Sequence, residues 1–170
     1  FDPAPGRAPA NDRRGGEHDH HGGLRADAVD RIALPEPEPD YACVILRLDD
    51  GRFVVEARPP DARHAAGQWT CFGGRREPGE RALDTARREL DEELGWAPDS
   101  LAPAVDLWVG GRFIARFFAA PPGVPLDRLR PEPGRAVTIV DETELQAAPL
   151  SSWHRDVLAA FLAGRARVDR

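Results

Sequence analysis

Apolar positions are spread unevenly along this chain. From Phe1 to Gly23 there are almost no aliphatic side chains, and Gly, Pro, Arg, Asp and His dominate. Such a segment cannot bury enough apolar surface to offset the entropy lost on ordering. Residues 1–38 are therefore expected to form a flexible N-terminal extension. Within it, Leu24–Leu34 reads as a short helix or irregular lead-in, and Pro35, Pro37 and Pro39 as an extended linker. A folded domain is expected over residues 39–170.

From Tyr41 the pattern changes. Tyr41–Leu48 is an apolar, partly β-branched run, Asp49-Asp50-Gly51 supplies a turn, and Arg52–Arg58 returns, which predicts a hairpin. Pro59–Gly67 reads as a loop and Gln68–Phe72 as a short strand ending at Gly73-Gly74. Glu80–Leu94 is expected to be a helix entered from Pro78-Gly79 and stopped by Gly95. Val105–Val109 and Arg112–Ala119 form a second hairpin across Gly110-Gly111. A Pro-punctuated loop, Pro121–Gly134, precedes a strand over Arg135–Val140. The final helix, Ser151–Ala163, carries an apolar stripe of Val157, Leu158, Phe161 and Leu162. Several strands with two helices suggest an α/β or α+β sandwich.

Composition narrows the function classes. A chain of 170 residues, 41% hydrophobic, can bury one substantial core without disulfides. No apolar run approaches the roughly 18 residues that span a bilayer, and no apolar stretch follows the charges of Phe1–Gly23 as in a secretory signal. All 23 basic residues are Arg, and the net charge is −6. That balance argues against stable nucleic-acid binding, which needs a basic surface, but not against a small phosphorylated ligand. Cys43 and Cys71 read as small buried side chains in a protein of the reducing cytoplasm. His18, His20 and His21 lack the further spaced ligands of a metal site.

The chemistry concentrates between Gly74 and Trp96. At about 100° per residue, Leu83, Ala86, Leu90 and Leu94 fall on one helix face. Glu89, Glu92 and Glu93 share an adjoining arc of about 100°, and like charges at these spacings repel. Three clustered carboxylates beside a core stripe suggest a hard divalent cation, Mg²⁺ or Mn²⁺. The Gly73-Gly74 pair lets backbone approach a metal or phosphate closely and frees carbonyls to coordinate. Arg88 could brace the cluster through Glu80, although helix-wheel arithmetic sets these two on different faces.

Gly74, five residues, Glu80, seven residues, then Arg88-Glu89-Leu90-Asp91-Glu92-Glu93-Leu94-Gly95-Trp96 resembles the Nudix box in full, G-x5-E-x7-R-E-U-x-E-E-x-G-U with U bulky and apolar. The resemblance covers roughly residues 40–164. It implies an α/β/α sandwich with a mixed central sheet. It also implies an enzyme that hydrolyses the diphosphate linkage of a nucleoside diphosphate derivative, with water attacking phosphorus and one to three Mg²⁺ ions assisting. On that likeness Gly74, Glu89, Glu92 and Glu93 hold the metal, Glu89 or Glu93 also handles the water, and Glu80 and Arg88 support them. A further acid from a later loop is expected at Glu132, with Glu142 and Glu144 as weaker candidates. Phe72 stands where the family commonly has Pro before Gly-Gly, which weakens transfer of substrate preference. Trp69 and Phe72 lead into the site and are candidates to stack on a base, ahead of Trp108 and Trp153. Arg58, with Arg75 and Arg112, is a candidate phosphate clamp. His154 reads as structural or exposed, and Phe113, Ile114, Phe117 and Phe118 as strand core. The alternatives are a silent Nudix-like nucleotide-binding or regulatory domain, and a different diphosphate reaction on the same scaffold. Homodimerisation is left open.

Overall fold

The structure, a computed structural model, describes residues 35–170. The expectations for Phe1–Leu34, including the histidines, lie outside the described residues. Glu36–Arg170 forms one compact unit. No helix among the described residues is long and apolar enough to cross a membrane.

Eight strands and three α-helices build it. β1 (Tyr41–Arg47), β2 (Phe53–Ala57), β3 (Trp69–Thr70) and β4 (Phe72–Arg75) precede α1 (Ala82–Leu94). β5 (Ala102–Val109), β6 (Arg112–Ala119), β7 (Ala136–Val140), α2 (Glu142–Ala147), α3 (Ser152–Leu162) and β8 (Arg167–Asp169) follow. The sheet is mixed: β1 runs parallel to β6 and antiparallel to β4 and β2, while β5 pairs antiparallel with β6 and parallel with β8.

Strand β1 is buried on both faces, which is why it reads as a continuous apolar run. Its Ala42, Val44 and Leu46 point to a cluster closed by Ala82, Ala86, Leu90 and Leu94 of α1. Its Cys43 and Ile45 point to the opposite cluster, closed by Val157, Leu158 and Ala160 of α3. The period of two on the strand and the stripes on the helices therefore give an α/β/α sandwich.

The expected single strand Gln68–Phe72 is two strands. Trp69–Thr70 pairs with β2, and Phe72–Arg75 pairs with β1. The chain crosses between partners at Cys71, so the sheet parts between β1 and β2 beyond the Leu46–Val54 pair. Gly73 makes the close approach possible. At φ +141° a Cβ there would lie 2.3 Å from the Ala42 carbonyl oxygen.

Helix α1 starts at Ala82, two residues later than expected, with Arg81 extended as its cap; Gly95 ends it in the left-handed region, as its position predicts. Two elements were not anticipated. α2 begins with a capping box in which Asp141 and Glu144 satisfy each other's backbone N–H groups, but only Leu145 of the helix is buried. β8 is three residues long with Val168 as its one buried side chain.

Leu90 is fully buried between α1 and the sheet. Leu90→Ala is expected to cost about 2–5 kcal/mol in urea unfolding. A loss below about 1 kcal/mol would contradict this packing.

Candidate active site

The parting of the sheet brings α1 and β4 together at one end of a cleft of about 860 Å³. Gly73, Gly74, Glu93 and Arg135 stand at that end. Arg58, Arg63, His64, Gln68, Trp153 and His154 line the rest.

Glu93 is 5% exposed. Its Oε2 accepts the Gly73 N–H at 3.0 Å, and its Oε1 lies 3.0 Å from Arg135 Nη1. Burial pushes its carboxyl up to about 7, while Arg135 and the Gly73 N–H pull the other way and Glu56 and Glu89 add to the rise. Glu89, half-buried, is also raised by burial, against the pull of Arg88. Its carboxylate occupies the space a side chain at 74 would need, since a Cβ on Gly74 would sit 2.4 Å from it. Glu92 is exposed and reaches Arg88 Nη1 at 3.2 Å.

Arg88 is the brace. Its Nε and Nη2 donate to the two oxygens of Glu80 at 2.7 and 3.1 Å, its Nη1 donates to Glu89 at 3.0 Å, and Nη2 also meets the Arg75 carbonyl. The helix-wheel objection to the Glu80–Arg88 contact falls away because Glu80 lies in the turn before α1 and folds back along it. Arg88, the Glu77 N–H and the Thr85 hydroxyl hold the Glu80 carboxyl down at about 2.

Glu132 is exposed and does not line the cleft. Its carboxylate pairs with Arg135 Nη2 at 3.0 Å, and its N–H donates to the Glu93 carbonyl. Glu142 and Glu144 do not line the cleft; they sit in the first turn of α2, and Glu144 is used in its capping box. Phe72 is fully buried under α1, so it cannot stack on a ligand, which corrects its expected role. Trp69 packs half-buried against the core and is absent from the cleft wall, which corrects that expectation too. Trp108 stacks on Phe113 at 4.9 Å, beneath Arg167. Arg112 pairs with Asp40, away from the cleft, whereas Arg58 and Arg75 line it.

Several groups in or beneath the cleft escaped the sequence, Arg135 among them. Glu56, 4% exposed, lies beneath it on β2, and Arg135 joins Glu56 to Glu93. The lone acid in Phe53-Val54-Val55-Glu56-Ala57 was the available signal. His154 is a cleft residue whose Nδ1 shares a hydrogen bond with Ser151 Oγ at 3.1 Å and whose buried Nε2 has no partner. Burial, aided by Arg58, lowers it to about 4. Cys43 and Cys71 are free and line the floor; burial pushes both thiols up, Cys71 to about 12, so they stay neutral.

Among the described residues no three His, Cys, Asp or Glu already converge as a ligand set, because the carboxylates are turned toward arginines. The donor chemistry nevertheless fits a hard divalent cation. Every candidate is an oxygen, and the Gly74 gap holds Glu89 against the backbone.

Fold and site together define an α/β/α domain whose cleft is lined by one buried carboxylate, Glu93, and by Arg58, Arg63, Arg75 and Arg135, with Glu89 and Glu92 beside it on α1. A family model described as the NUDIX domain matches residues 37–161, and the chain belongs to the Nudix hydrolase family. It is similar to the protein named nucleoside triphosphatase NudI from Escherichia fergusonii, 45% identical over 53 residues. That match spans 31% of this chain and 37% of the relative, little more than a third of its length. In fold it is similar to the MutT protein from Methanosarcina mazei Go1, with a TM-score of 0.59, 22% identity, and coverage of 77% of this chain and 97% of that one. The E. coli ORF135 protein is similar with a TM-score of 0.54, 27% identity, and coverage of 72% and 87%.

Gly74 is not in the left-handed region, so Gly74→Ala is expected to fold and to displace Glu89. Its Mn²⁺ affinity, measured by titration, should fall about tenfold or more, and an unchanged affinity would contradict the placement. His154 gives a pH test. An unfolded imidazole titrates near about 6.5 and the folded one lower, so between these values the unfolded state binds more protons. Stability from this group should fall by roughly 1–3 kcal/mol as pH drops from about 6.5 to about 4, and contribute no slope above that window. The urea stability of wild type relative to His154→Gln should shrink over that range. A pH-independent difference would contradict it.

Proposed function

We propose that this chain hydrolyses a diphosphate linkage in a nucleoside diphosphate derivative, nucleoside triphosphates included, with a divalent cation. The carrying observation is that Glu93 and Gly74 line a cleft together with Arg58, Arg75 and Arg135, and that the Glu89 carboxylate packs against Gly74. Family membership supports the reaction class, and the likeness to NudI, a nucleoside triphosphatase by name, supports a nucleotide substrate.

Glu89, Glu92 and Glu93, with the Gly74 carbonyl, are the groups that would hold Mg²⁺ or Mn²⁺. Bound there, the cation would neutralise phosphate oxygens and acidify the attacking water. The rest of the work belongs to the chain. Phosphoryl transfer asks mainly for positioning and charge neutralisation. Arg88, tied to Glu80, keeps Glu89 and Glu92 on one side of the site. The Gly73 N–H fixes Glu93 against the sheet. Arg58 and Arg75 present positive charge to an anionic chain of phosphates along the cleft. Glu132, exposed and paired with Arg135 of the cleft wall, is the acid we assign to take the proton released by water. Trp153 and His154 face the space left for the organic moiety. Two buried free thiols fit a reducing cytoplasm.

Purified protein with Mg²⁺ should release phosphate or pyrophosphate from at least one member of a panel of nucleoside triphosphates, sugar nucleotides, ADP-ribose and dinucleotide polyphosphates. A chelator should stop it, and Glu93→Gln should lower kcat by about 10²-fold or more while remaining folded. Tight binding of these compounds without turnover in Mg²⁺ or Mn²⁺ would favour a silent nucleotide-binding domain instead.

A further inference from the structure

We infer that Glu56 is a positioning residue that sets how firmly the site holds a divalent cation, by taking the Arg135 Nη1 hydrogen bond that would otherwise go to Glu93. The inference rests on the proposed role of Glu93 as a cation ligand.

Glu56 lies on β2, opposite Thr70 of β3 and Val137 of β7, in an otherwise apolar run. It does not line the cleft, so it has no direct chemistry with a substrate. A carboxylate buried to this degree needs a charged partner. Glu56 has two: its Oε1 lies 2.6 Å from Arg135 Nη1, and its Oε2 3.3 Å from Arg58 Nη1.

Arg135 is shared. The Nη1 that meets Glu56 at 2.6 Å also meets Glu93 Oε1 at 3.0 Å, and Nη2 meets Glu132 at 3.0 Å. The buried Nε finds no partner, so carboxylates hold this guanidinium at its two terminal nitrogens alone. One nitrogen is thus divided between two buried acids, with the shorter contact to the acid away from the cleft. A guanidinium on Glu93 competes with a cation for the same oxygen. Glu56 counters that competition by drawing Arg135 toward β2, and its own charge adds to the negative potential at Glu93. Arg58 does not depend on Glu56 in the same way, because its Nε also donates to the His64 carbonyl at 2.8 Å.

A purely structural Glu56 would tie β2 to the segment entering β7, and its loss would lower stability without touching the cation. The test is therefore Mn²⁺ binding to the full chain without substrate, read as free Mn²⁺ by electron paramagnetic resonance, beside thermal melting. Glu56→Gln should raise the Mn²⁺ Kd about fivefold or more, because Arg135 then closes on Glu93. Glu56→Gln/Arg135→Gln removes competitor and counterweight together and should bind within about twofold of wild type. Asp84→Asn, which removes an exposed acid paired with Arg81, should leave Kd unchanged and so exclude a general charge effect.

An unchanged Kd in Glu56→Gln overturns the inference, as does a loss beyond about tenfold in the double variant, which decides the matter if the single variant does not fold. Absence of Mn²⁺ binding in the wild type overturns it as well. Hydrolysis is scored separately. Wild-type turnover with an unchanged Glu56→Gln Kd sinks this inference and leaves the proposed function standing. A shifted Kd without turnover of any substrate does the reverse.

Discussion

The structure turns on placing two carboxylates of one helix against the backbone of a largely apolar sheet. Glu93 is buried beside the leucines of its own helix, and Glu89 fills the space left by a missing side chain at Gly74. Ionised carboxylates resist such burial, so the surroundings must compensate. Much of the local architecture serves that end. The crossing at Cys71 opens the sheet, Gly73 lets β4 press against β1 while offering its N–H to Glu93, and α1 is seated by Ala86, Leu90 and Leu94.

Compensation comes from two sides. On the solvent side, Arg88 is fixed by both oxygens of Glu80 and by a backbone carbonyl, then reaches Glu89 and Glu92. On the sheet side, Arg135 is held among Glu56, Glu93 and Glu132. Each brace is an arginine anchored by an acid that is not itself a candidate ligand. Two arginines thus serve six carboxylates, so the cluster keeps a negative excess.

Much of this was legible in the residues. The Gly74–Trp96 spacing, the apolar stripe of α1 and the Gly95 stop depend on local pattern; the mix of strands and helices left α/β and α+β open, and the α/β/α form came with the family resemblance. What was not legible depends on distant parts of the chain. Arg135 acquires its role from Glu56, far away in sequence, and nothing local marks it. Phe72 lies next to Gly73 in sequence, yet alternation along β4 sends its ring to the α1 face, away from the cleft. His154 reads as an ordinary helix residue until α3 is laid across Phe117, whose ring it meets edge-on at 5.4 Å. β8 was invisible because a three-residue strand with one buried side chain has no period to detect.

In the proposed reaction these carboxylates serve water attack on a phosphorus of a nucleotide-type diphosphate. The most direct measurement is turnover of such a substrate in ¹⁸O-labelled water with Mg²⁺, followed by ³¹P NMR. Label is expected on one phosphate product, dependent on the cation and lost in Glu93→Gln. Folded, cation-supplied protein that leaves every phosphorus unlabelled across the substrate panel would contradict it.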